Sequence, residues 1–216
     1  MAGVSRATIP TLLVALAGPP LLVLASRRLF GPAPPVATEL WLHLLFCAIP
    51  VSVILVVRYL ERLPLTSIGL RRPDWRTVVS GLAVAAVVLG VLPLVTDPLV
   101  ARLHDGRVEA GMQLIARWPP WSRLFVAVTS GFAEETLYRG YAIERLAMLT
   151  GRRWLAATLA AVVFAIAHAP AWGLGFALVA DLPFSVLMSL FYLWRRDLLA
   201  NGLAHSTGLV IMIGLP

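Results

Sequence analysis

The sequence predicts an all-α polytopic membrane bundle, with about seven transmembrane helices packed around a central polar cavity. Three observations carry that prediction. Hydrophobic residues make up 59% of the 216 and charged residues only 13%, at a mean hydropathy of +0.85, whereas a soluble domain carries about 25% charged residues. Apolar runs close to the ~20 residues needed to cross the hydrocarbon follow one another with short connections. The few polar side chains deep inside those runs gather in the second half of the chain. The length suits one integral-membrane domain over residues 1–216, with room for about six to eight spans and no separate soluble domain.

The elements follow in order. The run 7–26 is interrupted by Gly18-Pro19-Pro20 and closed by Arg27-Arg28. With no small-residue cleavage site behind it, it reads as a retained span and not a signal peptide. Gly31-Pro32-Ala33-Pro34-Pro35 is a stiff turn into the second span, 39–59. Residues 63–74 suit a short interfacial piece with Trp75 at the boundary, and the third span covers 77–96. The longest polar connection, 103–120, ends in the interfacial anchor Trp118-Pro119-Pro120-Trp121. The remaining spans are 121–148, 154–168 (short enough to end inside the membrane), 172–194 and 198–213. Internal repeats and low-complexity tracts are absent.

The net charge is +7 and every basic residue is arginine. These arginines separate apolar runs instead of forming a block, so they read as topological markers and exclude a nucleic-acid partner. With the N-terminus cytoplasmic, the inner side holds Arg6, Arg58, Arg62, Arg71, Arg72, Arg76, Arg145, Arg152, Arg153, Arg195 and Arg196. The outer side then holds Arg27, Arg28, Arg102, Arg107, Arg117 and Arg123, the poorer set. All-arginine usage with abundant Ala, Val and Leu suggests a GC-rich bacterial coding sequence, hence a bacterial cell membrane. Cys47 stands alone in an apolar run, which excludes an internal disulfide and a cysteine metal site.

The chemistry centres on Gly131-Phe132-Ala133-Glu134-Glu135-Thr136-Leu137-Tyr138-Arg139-Gly140. An ionisable group at bilayer depth costs at least about 2.5–3.5 kcal/mol on insertion scales, so it needs a partner and usually a function. On a helix Glu135 and Arg139 share a face, which leaves Glu134, about 100° away, as the freer carboxylate and a candidate general base. Counted at about 1.5 Å per residue, Glu134 lies about 16 Å in from Arg145, His168 about 22 Å from Arg153 and His205 about 14 Å from Arg196. Three segments thus deliver a carboxylate and two imidazoles to one layer, a set able to polarise a water directly or through a metal. The plainer alternative is an ion-pair knot with histidines hydrogen-bonded across helices. His43 and His104 receive no role, and Asp181, before Leu182-Pro183, marks a kink or faces the cavity.

At these residues the chain resembles the CPBP family of intramembrane proteases, the CAAX-prenyl-protease and bacteriocin-processing (Abi) proteins. Its Glu-Glu-x-x-x-Arg motif is matched by Glu134, Glu135 and Arg139, and Phe-x-x-x-His by Phe164 and His168. His205 matches the histidine of a third motif, but the Asn or Asp expected four residues on is Leu209. The resemblance covers roughly residues 121–216, the motif-bearing core. It implies peptide hydrolysis within the membrane by a water that Glu134 activates and that His168 and His205 position, with Glu135 and Arg139 as the supporting pair. Cleavage is expected nearer the cytoplasmic side. Leu209 has no hydrogen-bonding group, so Asn201, one turn before His205, is the candidate substitute, with Ser206 behind it. The resemblance leaves open zinc, which Glu134, His168 and His205 would then bind, or no metal at all. Implied partners are the lipid bilayer and a peptide or protein substrate, a prenylated C-terminus among the candidates. Two rivals stay open: a catalytically impaired member that binds a membrane partner as an immunity or scaffold protein, and an ion-coupled transporter. The latter has no matching pair of interrupted helices in its favour.

Overall fold

The computed structural model describes residues 5–215, and these form helices with no strand among them. In chain order the helices are α1 (Thr8–Phe30), α2 (Val36–Leu60), α3 (Trp75–Ala101), α4 (Arg107–Ala116), α5 (residues 120–150), α6 (Arg153–Trp172), α7 (Leu174–Arg195) and α8 (Leu198–Gly214). Five of them, α1, α2, α3, α6 and α7, are long and apolar enough to cross a bilayer, while α5 carries the charged motif and α8 is shorter. Their outward faces are apolar: Leu13, Leu94, Trp41, Trp154 and Trp194 are each at least 63% exposed. An outer surface of that kind is stable only against lipid, so the chain is an integral membrane protein.

Three expectations change on contact with the structure. The fifth run does not stop at His168. α6 continues through Pro170 to Trp172 and ends at Gly173, whose φ is 92°. The connection 103–120 is not simply a loop, since ten of its residues form α4. Residues 63–74 are not an interfacial piece alone. Leu65–Ile68 make one tight turn whose Ile68 is fully buried, and Gly69 ends it at φ 75°. A side chain at Gly69 would sit 2.8 Å from the Tyr192 hydroxyl, and its carbonyl accepts from the Leu198 N–H at 2.9 Å. α3 then starts from a capping box in which the Asp74 carboxylate accepts from the Thr77 N–H at 2.8 Å. That bond holds the Asp74 carboxyl below its ordinary value.

The core lies toward the arginine-rich end. Leu12, Val57, Ile68, Leu137, Tyr141, Ile143, Phe164 and Tyr192 pack there as one buried cluster. Ion pairs close the same end. Arg145 meets Glu61 at 2.7 Å with both side chains 1% exposed, Arg196 meets Glu144 at 2.7 Å, and Arg71 meets Asp197 at 2.9 Å. Thr8 and Tyr141 also donate to Glu61, at 2.9 and 2.8 Å, which ties α1, α2 and α5 together. Burying so many charges is tolerable because each carboxylate has its hydrogen bonds supplied.

Candidate active site

α5 does not run as a plain α-helix through the motif. Glu135–Ile143 is wound as a wider π-helix and every residue in it is buried, and such segments inside α-helices are frequent at functional sites. Glu135 and Arg139 nevertheless pair as their spacing predicts, at 2.9 Å and with no exposure. Glu135 is a hub. Its Oε1 accepts from Arg139 and from His205 Nδ1 (3.0 Å), and its Oε2 accepts from Asn201 Nδ2 at 3.1 Å. Arg139 donates in addition to the Ser185 hydroxyl at 2.8 Å and lies 4.3 Å from the centroid of the Phe164 ring. The buried positive charge is therefore met by a carboxylate, a hydroxyl and an aromatic face.

Glu134 points elsewhere. Its Oε2 is 3.8 Å from Nε2 of His168 and 3.8 Å from Nε2 of His205. The structure thus brings together the three groups that the depth count placed in one layer. The histidines are oriented from behind. His168 Nδ1 donates to the Phe164 carbonyl at 2.8 Å and His205 Nδ1 to Glu135. A carbonyl or a carboxylate only accepts, so both Nδ1 atoms carry hydrogen and both Nε2 atoms face Glu134. Phe164 therefore serves the site twice, through its carbonyl and through its ring over Arg139.

The gap has a size. A water about 2.8 Å from each neighbour spans it comfortably. Donors of a tetrahedral zinc ion, at about 2.0–2.1 Å from the metal, lie only about 3.4 Å apart. Among the described residues no group of three His, Cys, Asp or Glu is placed to hold a metal ion. As arranged, Glu134, His168 and His205 do not fit the zinc alternative.

Asn201 is not free for the water. Its Nδ2 is spent on Glu135 and on the Met188 carbonyl at 2.9 Å, while its Oδ1 is buried without a partner. Ser206 donates to the Val128 carbonyl at 2.8 Å and is equally committed. Sequence reasoning missed Ser185; its only signal was a hydroxyl four residues after Asp181 in an apolar span. Asp181 itself has a buried oxygen without a hydrogen bond.

Glu134 and His168 line the floor of a cavity of about 650 Å³. Its walls include Phe46, Val126, Ser130, Tyr138 and Ala167, and its rim holds Arg27, Pro34, Glu39, Arg107 and Arg117. His43 also lines it, with Nε2 2.6 Å from the Thr129 hydroxyl. The rim is the arginine-poor end of the bundle. The buried core and the ion pairs lie between the site and the arginine-rich end.

Residues 116–208 match a family model described as Rce1-like, type II CAAX prenyl endopeptidase Rce1-like. No curated protein and no solved structure matches the chain.

Proposed function

Since the chain belongs, through residues 116–208, to the CAAX-protease (CPBP) family, we propose that it is an endopeptidase that hydrolyses a peptide bond inside the membrane with a water held by Glu134, His168 and His205. The observation that carries this reading is the equal 3.8 Å spacing of Glu134 Oε2 from the two Nε2 atoms. A water between them faces three acceptors with only two hydrogens, so one of the three groups must itself carry a proton and donate. Glu134 takes a proton from the water as its oxygen bonds to the scissile carbonyl carbon. The Nε2–H of a protonated imidazole hydrogen-bonds the oxyanion, and Glu134 passes the proton taken from the water to the amine nitrogen as the C–N bond breaks, returning to a carboxylate. Glu135 holds His205 in the required tautomer, Asn201 and Arg139 hold Glu135, and no step needs a metal. The family description makes a prenylated C-terminal peptide the first substrate to try.

The test is cleavage of a quenched-fluorescent peptide ending in an S-farnesyl-cysteine tetrapeptide by purified protein in detergent. Glu134→Gln, His168→Ala and His205→Ala each abolish cleavage while the protein still purifies and melts as a folded species. Retained activity in all three refutes the mechanism. Leu209 favours a second reading, a non-catalytic member acting by binding. If wild type is inert and Leu209→Asn alone creates activity, that reading replaces the first, since one missing oxyanion donor can cost about 10²–10³ in rate.

A further inference from the structure

The oxyanion of the proposed reaction so far has a single donor, an imidazole Nε2–H, whereas oxyanion sites ordinarily aim two donors at the developing charge. α8 offers no second one. Asn201 and Ser206 spend their hydrogens on Glu135, Met188 and Val128, and Leu209 has none to give.

α5 does offer one. Val126, Ser130, Glu134 and Tyr138 all line the cavity and stand four residues apart, so they form one row along the helix. Glu135 and Arg139 form the neighbouring row, turned into the protein with no exposure. Tyr138 ends the cavity row on its buried side and is 1% exposed. Long side chains on a helix lean over the turn that precedes their own Cα, so the Tyr138 ring reaches back toward the turn carrying Glu134. The ring is fixed edge-on to Phe164, with centroids 5.1 Å apart and planes at 84°, and the Phe164 carbonyl is the group that orients His168. The Tyr138 hydroxyl is buried and makes no hydrogen bond. A buried tyrosine hydroxyl ordinarily finds a partner. Phenylalanine would pack against Phe164 in the same way, so packing does not account for the oxygen.

We propose that Tyr138 is a further catalytic residue, whose O–H donates to the oxyanion formed beside Glu134 and takes the part that Leu209 cannot play. The hydroxyl keeps its proton throughout, and Glu134 still carries the proton from the water to the amine. The inference rests on the proteolytic reading and adds a second donor to it.

The test is Tyr138→Phe, which deletes one oxygen and keeps the ring, assayed on the farnesylated quenched peptide in detergent. kcat is expected to fall about 10²–10³-fold with KM little changed, because the hydroxyl acts on the transition state alone. The variant should unfold no earlier than wild type, since it loses no hydrogen bond of the folded state. Equal kcat in the two proteins overturns the inference and leaves Glu134, His168 and His205 in their roles. A fall in kcat matched by earlier unfolding overturns it too, because the hydroxyl would then be structural. A second arm needs no turnover. A phosphinate analogue of the same peptide, with an anionic oxygen where the oxyanion forms, is expected to raise the unfolding temperature of wild type more than that of Tyr138→Phe. Equal shifts overturn the inference. A wild-type chain inert on the peptide but showing the unequal shifts sinks the proteolytic reading and keeps Tyr138 as a donor in the site.

Discussion

Replacing Gly131 with alanine removes no polar group, yet it should disable the site, because Gly131 is where α5 and α8 touch. A methyl group there would contact the Ser206 side chain and lie 2.6 Å from the Ser206 nitrogen and 2.8 Å from its Cα. The opposing atoms are backbone and cannot rotate away. Restoring an ordinary contact of about 3.4 Å means parting the helices by roughly 0.6–0.8 Å, an overpacking strain of about 1–3 kcal/mol. His205 precedes Ser206, so its 3.0 Å bond to Glu135 would stretch to about 3.6–3.8 Å, past hydrogen-bond range. The imidazole then loses the partner that sets its tautomer, and misplacement near 1 Å can cost about 10²-fold in rate. Cleavage of the farnesylated peptide and thermal unfolding in detergent read the two consequences. Gly208→Ala is the control, since its methyl would find only Val88 at an ordinary 3.6 Å. If Gly131→Ala cleaves and melts like wild type, close packing of α5 on α8 does not position His205, and the account of Glu135 as its anchor fails.

The two adjacent carboxylates should part company under mutation. Glu135→Ala leaves Arg139 buried and unpaired, a loss of about 3–5 kcal/mol that thermal unfolding will register, whereas Glu134→Gln, whose side chain faces the cavity, melts like wild type. Equal melting of the two variants contradicts the assigned division of labour. Glu61→Gln should destabilise by a similar amount of about 3–5 kcal/mol, because it strands Arg145. Adding Arg145→Met should recover part of that loss, and a double-mutant cycle with no coupling would remove the ion pair from the seal at the arginine-rich end.

Hydropathy alone was enough to read a lipid-embedded helical protein, because backbone groups in hydrocarbon must be satisfied within helices and each helix advertises itself as an apolar run. Helical spacing likewise paired Glu135 with Arg139, a contact only four residues long. Rise per residue brought Glu134, His168 and His205 to one depth, since depth along a helix is a one-dimensional quantity. Direction is not. Which way Glu134 turns, that Asn201 spends its amide on Glu135, and that Ser185 and the Phe164 ring meet Arg139 all depend on how α5, α6, α7 and α8 rotate against one another. Residues 63–74 could not be read as a plug from their composition, because Ile68 becomes buried only once α5 and α8 close around it. The same packing decides which end of the bundle is filled and which holds the cavity, so that asymmetry belongs to the tertiary structure.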